Sequence, residues 1–428
     1  MGEFPCNFGH KADFVGVPRD SPTCIVAPRA SHETRSPVTR TSQRCCGAVP
    51  LASGWIARNP FSTMKKRLLF IWLATVSLLA AWGCDKKTQP TPEPGVSSNP
   101  PAQENIALTG AGATFPYPLY SKWMSQYHTL HPNVQINYQS IGSGGGIRQI
   151  MARTVDFGAS DSPMTADEIQ KAPAKLHHIP TTLGAVAVTY NLEGLTSPLK
   201  IAPDVLADIY LGKIAKWNDK RIQKENPGAK LPASDISVVY RSDGSGTTAV
   251  FTDYLIKVSA EFKEKVGQGK SVKWPKGLGA KGNEGVTGQV KTTPSTIGYV
   301  ELAYAAQNKL PVAQLKNKSG QFIEPSIAAV SAAAAGVELP ESLAASITDA
   351  EGEKAYPISS FTYLLVYADL HDQKKGPALA EFLWWAVHDG QKECEALNYA
   401  PLPAPVVAKV EARLKELKVD DKPALAGL

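Results

Sequence analysis

The stretch Arg241-Ser-Asp-Gly-Ser-Gly-Thr-Thr248 holds the residue types in this chain best suited to chemistry on an anion. Arg241 offers a planar, permanently charged fork that matches the oxygens of a phosphate or a carboxylate. The small residues after it leave backbone N–H groups free to converge on one point. The elements that must position them are legible on either side. Ile236-Ser-Val-Val-Tyr240 is a short, β-branched run that reads as a buried strand. Val250, Phe251, Tyr254, Leu255 and Val258 share one face of a helix. A strand, a Gly/Ser/Thr turn and a helix start together make an anion-binding geometry, reinforced by the positive end of the helix dipole.

Other readings of this turn fail on specific residues. Gly244-Ser-Gly-Thr-Thr-Ala249 fits a G-x-G-x-x-A dinucleotide pattern, but the acidic residue closing a second strand about twenty residues later is missing. Gly269-Lys-Ser271 ends like a P-loop, yet Glu264 stands where its first glycine belongs. A plain helix cap beside a surface arginine is the simplest alternative for the turn taken alone. Two further turns of the same kind upstream weigh against it. Leu108-Thr-Gly-Ala-Gly-Ala-Thr-Phe-Pro-Tyr-Pro118 runs into Leu119, Trp123, Tyr127 and Leu130 at helical spacing. Val134-Gln-Ile-Asn-Tyr138 alternates like a half-buried strand and leads through Ile141-Gly-Ser-Gly-Gly-Gly146 into a helix with Ile147, Ile150 and Met151 inward.

Phe157-Gly-Ala-Ser-Asp-Ser162 places Asp161 just past a short buried strand. It approaches a G-x-S-x-G nucleophile elbow but lacks the last glycine. Thr165-Ala-Asp-Glu168 is a capping box that opens another helix. His177-His178 have no third ligand at metal spacing, so a structural role is expected. Leu183–Tyr190 and Ile358–Tyr367 are the most apolar strands. Near the C-terminus, Leu379, Phe382, Leu383 and Val387 form one helical stripe, and Val406, Val410, Leu414 and Leu417 another. Trp384-Trp385 read as core and surface packing and not as a sugar platform. Cys394 is expected to be a buried structural cysteine in a helix.

The first 63 residues are Pro-, Arg-, Ser- and Thr-rich and hold Cys6, Cys24, Cys45 and Cys46 without a C-x-x-C pair, so they are expected to lie outside the fold. Met64-Lys-Lys-Arg67 followed by an apolar run from Leu68 to Trp82 reads as a secretion signal, with translation expected to start at Met64. Ala81-Trp-Gly-Cys84 resembles the lipobox of bacterial lipoproteins, which implies lipidation at Cys84; Trp82 stands where that motif usually has a small or β-branched residue. Residues 84–105 are a Pro-, Thr- and Ser-rich tether. The formal charge of +6 is confined to the leading segments. Residues 1–63 carry seven Lys/Arg against four Asp/Glu, and Lys65, Lys66 and Arg67 supply the other three charges. The rest is balanced, so no argument for a basic nucleic-acid surface survives. A neutral protein must hold an anion mainly by local dipoles.

Thr109-Gly-Ala-Gly-Ala-Thr-Phe-Pro116, Ile141-Gly-Ser-Gly-Gly-Gly146, Val155-Asp-Phe-Gly-Ala-Ser-Asp161, Asp208-Ile-Tyr-Leu-Gly-Lys-Ile214 and Arg241-Ser-Asp-Gly-Ser-Gly-Thr247 together resemble the extracytoplasmic phosphate-binding protein of the phosphate-specific ABC transporter. Lys273–Asn283, Ile297-Gly-Tyr-Val-Glu301 and Tyr399-Ala-Pro-Leu-Pro403 extend the likeness along the chain, and Gly144 stands where some members carry a second serine. The resemblance implies a type II periplasmic-binding-protein fold, two α/β lobes joined by two crossover strands. Lobe I would take residues 106–184 and 360–428, and lobe II 188–355. Carried over by motif, Thr114, the Phe115 N–H, Ser143, Asp161, Arg241, Ser245, the Gly246 N–H and Thr247 would surround inorganic phosphate, with Asp243 orienting Arg241. Asp161 fits beside phosphate because phosphate keeps a proton near neutral pH and can donate it, whereas sulfate has none. An acceptor–acceptor mismatch of that kind costs on the order of 2–5 kcal/mol. The implied protein is extracytoplasmic and monomeric, anchored to the membrane only by lipid. It uses no cofactor and no metal, delivers phosphate to transmembrane permease subunits and catalyses nothing. The rival readings are a phosphatase or phosphotransferase, which lacks a nucleophile–base pair here, and a sulfate or molybdate receptor, which leaves Asp161 without a purpose.

Overall fold

A computed structural model of the chain describes residues 104–195 and 197–426. The expected extension, the secretion signal, Cys84 and nearly all of the tether lie outside the described residues. Eight strands form the main sheet: β1 (Ile106–Gly112), β2 (Val134–Ser140), β3 (Phe157–Ser160), β4 (Leu176–Tyr190), β5 (Ser237–Arg241), β6 (Leu278–Ala280), β7 (Thr296–Glu301) and β8 (Ser359–Tyr367). Their spatial order is β2-β1-β3-β8-β4-β7-β5-β6. β1, β2 and β3 are parallel, as are β6, β5 and β7, so each half carries helical crossovers.

The two halves meet at the long antiparallel pair β4 and β8. Both strands are buried along almost their whole length, which is why they are the most apolar runs in the sequence. β4 pairs with β8 through Ala185 and with β7 from Val186 onward. One strand therefore serves both halves. This is the type II periplasmic-binding-protein fold, two α/β lobes joined by crossover strands.

Four helices frame the junction of the lobes: α1 (Tyr117–Leu130), α2 (Ser143–Met151), α3 (Gly246–Val258) and α4 (Gly282–Thr292). α1 buries Leu119, Tyr120, Trp123 and Tyr127, and the Trp123 indole donates to the Gly390 carbonyl at 2.7 Å. Burial of each such side chain contributes on the order of 2 kcal/mol. The capping box at Thr165 is present, with Glu168 N–H donating to Thr165 Oγ1 and Thr165 N–H to Glu168 Oε2.

Some local expectations need adjustment. β4 begins at Leu176, seven residues before its apolar run, because Pro180 sits inside the strand beside an irregularity in the β4–β8 register. Cys394 is buried as expected but lies between two short 3-10 turns and not in a regular helix. Burial pushes its thiol up to about 12, so it is an inert structural group. Leu417 is buried past the end of its helix, which stops at Lys415. The histidines pair within the protein: His178 Nε2 accepts from the Met164 N–H at 2.9 Å, and His177 Nδ1 lies 3.1 Å from an Arg413 guanidinium nitrogen. No helix among the described residues is long and apolar enough to cross a membrane.

Candidate functional site

The two glycine-rich turns face one another across the junction of the lobes. On one wall, β2 ends at Ser140 and Gly142, at φ 85°, turns the chain into α2, so that Ser143 is its first residue. On the other, β5 delivers Arg241, and Ser245 caps α3 by accepting the Thr248 N–H at 3.0 Å. The backbones touch, with Gly144 N–H donating to the Gly244 carbonyl at 2.8 Å. A side chain at 144 would press on the Gly244 backbone, 3.2 Å from its Cα. At Gly246 a Cβ would collide with Ser143 Oγ and the Asp161 carboxylate. Only glycine lets this N–H approach so closely.

Arg241 is nearly enclosed, at 4 % exposure. Its Nε and Nη2 donate to the two oxygens of Asp243 at 2.8 and 2.5 Å, and Nη1 donates to Thr247 Oγ1 at 3.2 Å. The orienting role expected for Asp243 is thus visible as a bidentate pair. Asp243 also accepts the Gly282 N–H at 3.0 Å. Burial opposes its ionisation, but the Arg241 hydrogen bonds, the guanidinium charge and that N–H together hold its carboxyl below the ordinary range. Three of the five guanidinium N–H groups have protein partners, leaving donors for an anion.

Asp161 sits just beyond β3 at 1 % exposure. Thr362 Oγ1, from β8, donates to its Oδ1 at 2.9 Å, while Ser143 Oγ lies 3.5 Å from Oδ2. Burial pushes the carboxyl up to about 7, against the pull of the Thr362 hydroxyl and the Arg241 charge. A group so placed can hold or accept a proton near neutral pH.

The structure brings all eight expected residues together and buries them. Thr114 Oγ1 accepts from Asn283, and its carbonyl accepts from the Tyr304 hydroxyl at 2.6 Å. The Phe115 carbonyl accepts from Tyr399 at 2.7 Å, and its ring is fully buried against the backbone at Gly184. The Gly246 N–H donates across the junction to Ser143 Oγ at 3.0 Å, so the two walls are closed onto each other here.

Two residues with no sequence-based role belong to the same network, Asn283 and Thr362. Asn283 stands at the start of α4 after a stretch dominated by lysines and glycines, and Thr362 lies in a strand read only for its apolarity. Two open surface clefts lie elsewhere. One is lined by Arg153, Asp156, Tyr367 and Lys375, the other by Tyr117, Met124, His128 and Tyr138. Burial and convergent hydrogen bonding identify this site, not cavity size. Among the described residues no cluster of three or more His, Cys, Asp or Glu side chains could hold a metal ion.

Comparison with known proteins points to one family. A family model described as a PBP superfamily domain matches residues 91–389. The phosphate-binding protein PstS of Pasteurella multocida is 48 % identical over 318 residues, covering 73 % of this chain and 92 % of that protein. PstS of Xylella fastidiosa is 43 % identical over 353 residues, covering 80 % and 96 %. Among solved structures, a high-affinity periplasmic phosphate-binding protein of the DING type, bound with phosphate, superposes with a TM-score of 0.60 at 24 % identity, over 72 % of this chain and 93 % of that one. A phosphate-binding protein from Stenotrophomonas maltophilia gives 0.56 at 19 % identity, covering 72 % and 93 %; at such identities these two show the fold. By its motifs, its fold and its similarity along most of its length to the PstS proteins, this chain belongs to the phosphate-binding protein family of the periplasmic-binding-protein superfamily.

Proposed function

We propose that the protein binds inorganic phosphate with high affinity between its lobes and delivers it to the permease of an ABC importer. Lobe I would comprise residues 106–184 and 360–428, lobe II residues 188–355. Thr114, the Phe115 N–H, Ser143, Arg241, Ser245, the Gly246 N–H and Thr247 donate to phosphate oxygens, and Asp161 accepts the phosphate proton. The Gly246 N–H and the Ser143 hydroxyl exchange their mutual hydrogen bond for bonds to the ligand. The observation that carries the reading is the buried Asp161 carboxyl, an acceptor facing donors and the Arg241–Asp243 pair. A receptor for an unprotonated oxyanion has no use for that group, and neither does a site that only needs positive charge.

The protein acts as a monomeric carrier without catalysis, placed outside the cytoplasm and held to a membrane by lipid at Cys84. Mass spectrometry of the mature protein tests the anchor, with a diacylated Cys84 as its first residue; peptides from residues 1–63 would sink it. Isothermal titration with phosphate and sulfate near pH 7 tests the function. Tight one-site binding of phosphate and none of sulfate is expected. Equal affinity for both anions overturns the role of Asp161, and no phosphate binding overturns the whole reading.

A further inference from the structure

Asn283 is fully buried and makes four hydrogen bonds around the site. Its Oδ1 accepts the Glu301 backbone N–H at 2.9 Å, at the end of β7. A backbone donor cannot reverse its polarity, so it fixes which way the amide faces. The Nδ2 group therefore points at two hydroxyls, Thr114 Oγ1 at 2.8 Å and Thr247 Oγ1 at 3.2 Å. Thr114 Oγ1 also receives the Asn283 backbone N–H at 3.2 Å, and Thr247 Oγ1 also receives Arg241 Nη1 at 3.2 Å.

A hydroxyl oxygen has two acceptor positions and one hydrogen. Both acceptor positions of Thr114 are filled by Asn283, and both of Thr247 by Asn283 and Arg241. Each hydroxyl can then only donate to whatever lies between them. Thr114 follows β1 in one lobe, whereas Thr247 and Asn283 belong to helices of the other. The same amide that orients the hydroxyls therefore ties the lobes together when they close.

We infer that Asn283 is the positioning residue that sets the hydrogen-bond polarity of this end of the phosphate site, compelling Thr114 and Thr247 to act as donors and coupling that orientation to lobe closure. The inference rests on the phosphate-binding reading. It gives the site a direction. The Thr114–Thr247 end takes oxygens that carry no proton, and the protonated oxygen is left to face Asp161. A hydroxyl without this constraint can rotate to accept as readily as to donate, and then offers no such discrimination.

The test is a pair of double-mutant cycles on phosphate affinity, measured by titration calorimetry. Asn283→Ser is combined with Thr114→Val and separately with Thr247→Val, and circular dichroism confirms folding of each variant. Asn283→Asp, of almost the same size, is measured alongside; its carboxylate still accepts the Glu301 N–H but takes the hydroxyl hydrogens that the ligand needs. Asn283→Asp is expected to weaken phosphate binding at least 100-fold, and Asn283→Ser about 10-fold or more. In each cycle the double variant should be within about threefold of its weaker-binding parent, because the amide acts through the hydroxyls. Losses that simply multiply, or an Asn283→Asp protein that binds phosphate as tightly as Asn283→Ser, would assign Asn283 a merely structural role and overturn the inference. If the Thr114→Val and Thr247→Val losses appear but coupling does not, this inference alone fails. If the unmodified protein binds no phosphate, the functional reading fails and takes this inference with it.

Discussion

Asp161 and Asp243 lie near the same arginine, are both largely buried, and yet end with opposite shifts. Burial works against ionisation of both. For Asp243 it is outweighed by two guanidinium hydrogen bonds, the positive charge of Arg241 and the Gly282 N–H, so the carboxyl lies below its ordinary range. For Asp161 burial prevails and pushes the carboxyl up to about 7, because its partners are hydroxyls and the Arg241 charge acts without a direct hydrogen bond. Hydrogen bonds from neutral hydroxyls do not replace a charge-assisted pair in a desolvated site. One aspartate is therefore a permanent anion that aims the arginine. The other keeps the capacity to trade a proton with a ligand.

The largest effect is expected from removing the residue that separates the two. Arg241→Ala takes away the full positive charge of this cluster and leaves Asp243 buried with backbone donors only. Phosphate affinity should fall by on the order of 2–5 kcal/mol or more, with the far-UV circular dichroism unchanged. Affinity near that of the unmodified protein would mean that Arg241 does not face the anion.

The next effect sharpens the contrast from the other side. Asp161→Asn replaces an obligate acceptor by an amide that can turn either way, accepting through oxygen or donating through nitrogen. Phosphate loses a charge-assisted hydrogen bond but also a like-charge repulsion, so its affinity should change modestly. Sulfate exchanges an acceptor–acceptor clash for a donor, and its discrimination should shrink by on the order of 2 kcal/mol. Arsenate, protonated as phosphate is, should keep its ratio to phosphate. Competition titrations with the three anions near pH 7 at fixed ionic strength decide it. A variant that rejects sulfate as firmly as before would move selectivity from Asp161 to the N–H turns.

How much of the fold and the site can be read from the chain depends on how local each signal is. The turns at Thr114, Ser143 and Arg241 are legible because the residues that make them are contiguous: an apolar strand, small residues, then a helical stripe. The Arg241–Asp243 pair is legible too, since two residues at a strand end reach one another whatever the fold. Asn283 and Thr362 are not. Asn283 meets Thr114 across 169 positions and Thr362 meets Asp161 across 201, and only the sheet register brings them there. The first part of β4 is hidden for another reason. His177, His178 and Pro180 break the apolar run, and a proline is tolerated in this strand only beside its register irregularity. The Gly246 N–H reads as a donor from sequence, but its acceptor on the opposite wall is invisible in one dimension.

The smallest expected effect isolates the Asp161 carboxyl without any ligand. Its pKa is raised in the folded protein, from an ordinary 3.8 to about 7. Between about pH 4 and pH 7 the folded form keeps a proton that the unfolded chain has lost, so this group reduces stability as the pH rises through that window. The full liability is present above about pH 7 and absent below about pH 4. A raised value of this size corresponds to at most about 4 kcal/mol in the closed form. Opening of the lobes lets water reach the carboxylate, so roughly 1 kcal/mol, a rise of about 2 °C in Tm, is expected for phosphate-free Asp161→Asn above pH 7. The buried histidines act with the opposite sign. Burial pushes His177 and His178 down to about 4, so both proteins lose stability as the pH falls from about 6.5 toward 4. That contribution is common to the two and cancels in their difference. The measurement is the Tm of each protein in phosphate-free buffers from pH 4 to 8.5. The variant should match the unmodified protein at the acid end and pull ahead as the pH rises to 7. A difference that is flat with pH would mean that Asp161 carries no raised pKa, and its capacity to trade a proton with phosphate would go with it.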